Sequence, residues 1–228
     1  MPSTLLRLLQ IADSGFPTGA YAFSHGLEGL HAMDVVTNEA DVHEFARAHI
    51  EETLAMQDLP AGHHAHRLAV ASDLDSLIHL DHLLSALKPV PAFRLASTRV
   101  GRQTLESAVS LYPAPFALTY LEAVRGGETP GHQAVAFAVV THAAGIDVTS
   151  AVAAFGAASL NGYAAAAVRM GVIGQGAAQR IVSTLELDLA AALIAARHFA
   201  IDELGGYTPL IDIAGMRQPS LSARMFAS

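Results

Sequence analysis

From Val148 to Val168 the chain carries no charged side chain. A run of that length either crosses a bilayer or lies at the centre of a globule. Composition decides between the two. The stretch AVAAFGAASLNGYAAAAV is built from alanine, glycine and serine, with Asn161 in the middle. Such residues enter lipid weakly beside leucine or isoleucine, so a buried core helix is expected and no membrane partner. A helix apolar on every side needs other helices around it. The rest of the chain supplies them: hydrophobic residues make up 52%, mostly alanine, and charged residues 15%. Alanine has the highest helix propensity, and no stretch alternates with β-branched enrichment, so the expected fold is all-α. About ten helices in one bundle-like domain are expected.

The helices are placed by period and punctuation. A first short helix runs from Ser3 or Thr4 to Ala12, with Leu5, Leu8 and Leu9 on one stripe. Gly15, Pro17 and Gly19 interrupt it, and a second segment covers Tyr21 to Met33, with Tyr21, Phe23 and Leu27 expected to pack. Asn38 or Asp41 caps an amphipathic helix that sets Val42, Phe45, Ala46, Ile50 and Leu54 opposite Glu44, Arg47, Glu51 and Glu52. Asp58, Pro60 and Gly62 mark a break, followed by helices to Ala71, over 76–87, over 92–111 and over 117–125. The last set runs over 133–144 with Gly145 as a left-handed cap, over 150–169, and as one long helix over 175–199. Residues 208–228 are left as a flexible C-terminal tail on an all-helical domain of residues 1–207.

Charge and chemistry exclude several functions. A formal net charge of −8 is the wrong sign for a polyanion, so no nucleic-acid partner is expected. With no cysteine there are no disulfides or thiolate metal sites, and the N-terminus does not read as a signal peptide, which together suit the cytoplasm. There is no phosphate loop ending in Lys-Ser or Lys-Thr, and Lys88 is the chain's one lysine. Ser24 and His25 are adjacent and cannot serve each other as nucleophile and base, and no GxSxG elbow surrounds them. Among the 12 histidines, His63 with His66 and His79 with His82 have helical metal-ligand spacing, but no carboxylate at that spacing completes either pair. No metal, cofactor or catalytic residue is therefore assigned. A helical metal-binding enzyme built on those pairs, or a generic dimerisation module, is the alternative. A chain so rich in apolar residues is expected to bury surface against a partner or a copy of itself.

Three stretches in order carry a resemblance. The first places Leu8, Leu9, Gln10, Asp13, Pro17, Gly19, Ser24, Gly26, Leu27 and Glu28 in an LLQ…D…PxG…SxGLE pattern. The second is AAVRMGVIGQGAAQRIV, with Ala167, Val168, Arg169, Gly174, Gln175 and Gln179; YPAPF also fits, with Leu111 where a histidine is usual. The third is PLIDIAGMRQPSLSARMFAS, in which Pro209, Leu210, Asp212, Ile213, Met216, Arg217, Arg224, Phe226 and Ser228 fit, and Gln218 and Pro219 replace the usual His-Glu. In these the chain resembles the urease accessory protein F family (UreF) over essentially its whole length.

The resemblance implies an all-helical, non-catalytic chaperone for nickel insertion into the dinickel site of urease. It implies a homodimer that binds the UreD (UreH) accessory protein, recruits and regulates the GTPase UreG, and reaches the urease apoprotein through that complex. The residues it points to for partner binding are Tyr21, Ser24, His25, Glu28, Arg169, Gln175, Gln179, Tyr207, Pro209, Asp212, Met216, Arg217, Arg224 and Phe226. Within that set Glu28 is equally readable as a buried structural carboxylate, and Arg169 as a helix-end arginine meeting exposed carbonyls. Arg217 and Arg224 lie where no core is expected to hold them, as befits a tail that orders on binding.

Overall fold

The computed structural model describes residues 2–221 and 224–227, and among them every regular element is helical. Ser228, part of the tail match, lies outside the described residues. α1 (Pro2–Ala12) is followed by a single 3-10 turn at Ala20–Ala22 and by the short α2 (Leu27–Ala32). The expected helix from Tyr21 to Met33 is thus divided. His25 at φ 56° and Gly26 at φ 91° both lie in the left-handed region, which no helix can pass through.

α3 (Glu39–Ala48) begins where Asn38 Oδ1 accepts from the backbone N–H groups of Ala40 and Asp41, at 2.9 and 3.2 Å. Its predicted apolar face is buried, with Val42, Phe45, Ala46, Ile50 and Leu54 all at most 4% exposed. The expected break at Asp58, Pro60 and Gly62 does not occur. Instead the chain passes through a π-helical segment, His49–Asp58, straight into α4 (Leu59–Ala71). The N–H of Leu59 reaches back to Leu54, five residues behind. This widened ladder delivers Pro60 into the first turn of α4, where its missing N–H is tolerated.

α5 (Leu74–Leu87), α6 (Pro91–Val109) and α7 (Pro115–Gly126) follow, and then α8 (Gln133–Ala143), which ends at Gly145 with φ 77°. The 126–132 turn ahead of α8 is fixed by Asp81. This buried carboxylate accepts from Tyr120 Oη, Thr129 Oγ1 and the N–H groups of Gly131 and His132, all within 2.9 Å.

α9 (Val148–Arg169), uncharged up to its last residue, is capped by Asp147. It is long and apolar enough to cross a membrane, yet half of its most apolar window is buried inside the protein, against α1, α4, α8 and α10 (Gln175–Thr184). The most enclosed helix is α8: every residue from Ala134 to Thr141 is buried, with α4 and α6 on either side. The expected single helix over 175–199 is two, α10 and α11 (Glu186–Ala196). Thr184 Oγ1 donates to the carbonyls of Arg180 and Ile181 at 2.9 and 3.1 Å, and Leu185 turns out of helical geometry into the core.

Three exposure patterns differ from expectation. Tyr21, expected to pack with Phe23 and Leu27, is 68% exposed. On α1, Ile11 is buried and Leu8 half-buried, while Leu5, Leu6 and Leu9 stand in solvent. The C-terminal segment is not a free tail: it contains α12 (Pro209–Arg217), which packs on α2 and α6, and Gln218 and Phe226 beyond it are buried.

Candidate partner-docking surface

The tail is held by small residues and one carboxylate. Gly29 of α2 lies so close to α12 that a Cβ there would sit 2.5 Å from the Ala214 carbonyl oxygen. Only a residue without a side chain permits that approach. α12 ends at Arg217, ahead of Pro219, and Gln218 then turns inward. Its amide donates to Glu28 Oε2 at 2.8 Å. Glu28 also accepts from the backbone N–H groups of Met225 and Phe226, and its own N–H donates to Ser24 Oγ at 3.4 Å. Ala227 N–H bonds to Ala22 O at 2.8 Å. A buried carboxylate with this many donors is strongly committed to one geometry.

Arg169 completes the arrangement from the end of α9. Its guanidinium carbon stands 3.7 Å from the Tyr21 ring centroid and 4.4 Å from that of Phe226, and it donates to Tyr21 O. Partial burial lowers its pKa from the ordinary arginine value. Its Nε also reaches Ala165 O at 3.4 Å, so the helix-end contact and the aromatic contact coexist.

All but three of the residues singled out in the sequence therefore separate into two groups. Tyr21, Ser24, Glu28, Arg169 and Phe226 meet one another and hold the tail to the body. Tyr207, Pro209, Met216, Arg217 and Arg224 are exposed on the tail itself, with Asp212 half-buried. Gln175 and Gln179 lie exposed on α10. Leu210 and Ile213 join Met216 on the outward side of α12, at 48%, 48% and 54% exposure, while Ile211, Ala214 and Gly215 face inward.

His25 belongs to neither group. It lines a cavity of about 80 Å³ together with His49, Gln57, Tyr163 and the ion pair of Lys88 with Asp58, whose N–O separation is 2.9 Å. Burial drives the His25 pKa down to about 4 and that of His49 to about 3. Both rings are neutral near pH 7 and pack on Tyr163, at 5.1 and 4.6 Å between centroids. His49 Nε2 donates to His25 O at 3.0 Å, which leaves Nδ1 as a buried lone pair.

Among the described residues no group of three or more His, Cys, Asp or Glu side chains is arranged to hold a metal ion. In the histidine pairs, His66 Nε2 lies 2.8 Å from Ile146 O and His82 Nε2 2.9 Å from Glu128 O, so one ring of each pair already has a backbone partner. Sequence reasoning missed Gly29, Ala214 and Gln218 as parts of the tail anchorage. The first two are a glycine and an alanine, too small to stand out in the apolar period.

Fold and surface together define an all-helical protein whose C-terminal helix is fastened inside and apolar outside. A family model described as UreF matches residues 36–186. The chain is 34% identical over 223 residues to the urease accessory protein UreF of Arthrobacter sp. (strain FB24), covering 98% of this chain and 96% of that protein. It is 33% identical over 222 residues to the protein of the same name from Corynebacterium glutamicum (strain R), covering 97% and 96%. The Bacillus sp. (strain TB-90) protein of that name is 29% identical over 224 residues, covering 98% and 99%. The chain belongs to the UreF family of urease accessory proteins.

Proposed function

We propose that this chain is a non-catalytic scaffold in urease maturation, working in the cytoplasm as a homodimer. In this reading it binds UreD (UreH), recruits and regulates the GTPase UreG, and through that complex serves nickel insertion into the urease apoprotein. The observation that carries the reading is α12: a helix fixed to the body on one side and presenting Leu210, Ile213 and Met216 on the other, beside an exposed Tyr207. An apolar face held in place without cover is what a docking element requires, since the ordering cost is already met. The segment 208–228 is accordingly the element assigned to UreD. The region around Arg169, Gln175 and Gln179 is assigned to UreG, and the exposed Leu5, Leu6 and Leu9 of α1 supply an apolar face for the homodimer.

The test is co-purification of the tagged chain with the D and G proteins of its own organism. Removing residues 208–228 would uncover Gly26 and Gly29, so the cleaner variant is L210D/I213D/M216D, which leaves the inward face of α12 intact. A ternary complex with the natural chain and none with the triple variant is expected. Normal assembly by the triple variant would remove the tail from the docking role.

A further inference from the structure

Between α3, the π segment and the start of α12 runs an open groove of about 640 Å³. Its lining includes the apolar side chains of Val35, Phe45 and Leu210, together with Tyr207. Three carboxylates line it, Asp41, Glu44 and Glu52, and no basic side chain does. The nearest cation on the same helix, Arg47, is already paired with Glu44 and Glu51, both at 2.7 Å. Of the six carboxylates between residues 39 and 58, Glu44 and Glu51 pair with Arg47, Glu39 with Arg180 and Asp58 with Lys88, and among the described residues no basic side chain pairs with Asp41 or Glu52.

The groove is preformed. The strap before α12 is tied to the π segment by Gly205 N–H to Met56 O at 3.1 Å and by the Gln57 amide to Gly206 O at 2.9 Å. Gly206 has φ 88°, and a Cβ there would collide with the Glu52 carbonyl, so this wall cannot drift without losing all three contacts. A fixed apolar trough with acidic sides has its complement in a helix with one apolar stripe flanked by lysine and arginine.

We propose that this groove receives a basic amphipathic helix of a partner protein. Its apolar residues lie over Val35, Phe45 and Leu210, and its cations meet Asp41, Glu52 and Glu44, the last shared with Arg47. The proposal rests on the reading of the tail as docking element, and names the kind of segment that element meets. Hydrophobic contact supplies the affinity, and the carboxylates set the orientation and the association rate.

Binding to the full chain is measured by fluorescence anisotropy, using a synthetic Leu/Lys amphipathic helix of roughly five turns and its Leu/Glu twin as probes, at about 0.15 M salt. The Leu/Lys peptide should bind and the Leu/Glu peptide should not. Glu44→Gln with Glu52→Gln should weaken binding about tenfold, mainly through slower association. Leu210→Asp, at an exposed position, should abolish it. The control D75N/E122Q, on α5 and α7, should change nothing. Equal weakening by the control would mean generic attraction to an acidic protein and would overturn the proposal, as would an unaffected Leu210→Asp variant. In the co-purification, E44Q/E52Q should lower recovery of the D protein. Full recovery would sink the groove and leave the scaffold role standing; peptide binding without any D-protein complex would do the reverse.

Discussion

α8 and α12 are both apolar helices of similar length, and they use their side chains in opposite ways. α8 buries everything from Ala134 to Thr141 and touches solvent at its ends. α12 buries Ile211, Ala214 and Gly215 and leaves Leu210, Ile213 and Met216 outside. Apolar composition alone does not distinguish a core from a docking face. What distinguishes them is whether other helices of the same chain come round to close the second side. Stability should therefore depend heavily on α8 and weakly on the outer face of α12, while complex assembly should show the reverse.

The largest effect is expected from Val139→Asp, which places a carboxylate with no partner among α4, α6 and α8. The cost exceeds about 4 kcal/mol, enough to leave the protein unfolded or insoluble. Circular dichroism and solubility on expression are the readouts, and a folded variant would show that α8 is less enclosed than described.

Next comes the anchorage of α12. Glu28→Ala strands the Gln218 amide and the N–H groups of Met225 and Phe226, at a cost of about 2–4 kcal/mol. Hydrogen exchange should accelerate across residues 209–227 and stay slow in α8. Uniform acceleration would instead make the tail part of one cooperative unit with the core.

Acid should act on the body through its buried histidines. His25, His49 and His132 have folded pKa values of about 4, 3 and 3 against an ordinary 6.5, so between those values the unfolded chain binds more protons than the native one. Stability is full above about pH 6.5 and falls as the pH drops, by about 2 kcal/mol per histidine at pH 5. Urea denaturation at pH 7 and pH 5 measures this directly. A stability unchanged over that interval would show that these rings are not buried as neutral groups.

The smallest effect on stability is expected from L210A/I213A/M216A. Each residue is about half exposed, so the midpoint of unfolding should move by the equivalent of about 1 kcal/mol or less. A loss several times larger would mean that the outer face of α12 is a structural surface after all.

Much of this fold was legible in the sequence because helix starts and stops carry chemistry of their own. Asn38 and Gly145 mark their boundaries by side-chain or backbone requirement, and the apolar period of α3 places Val42 through Leu54 correctly. The reading failed where a helix accommodates a breaker or stops without one. Pro60 signals an end, but the π segment absorbs it; Leu185 signals nothing, but the chain turns there. The site was less legible than the fold. Glu28 stood out only as part of a resemblance, and its environment depends on Met225 and Phe226, nearly two hundred residues away. Gly29 and Ala214 matter for what they lack, a property that periodicity cannot see.

One feature of the interior limits how an assembly of this protein can be mapped. Lys88 is the only lysine, and its side chain is 10% exposed and paired with Asp58 beside the histidine cavity. Cross-linkers that couple ε-amines will find almost nothing to react with on the outer surface of this subunit, even where partners lie against it. Contacts at α12 or in the acidic groove will be recorded only by reagents that activate carboxylates or insert into C–H bonds.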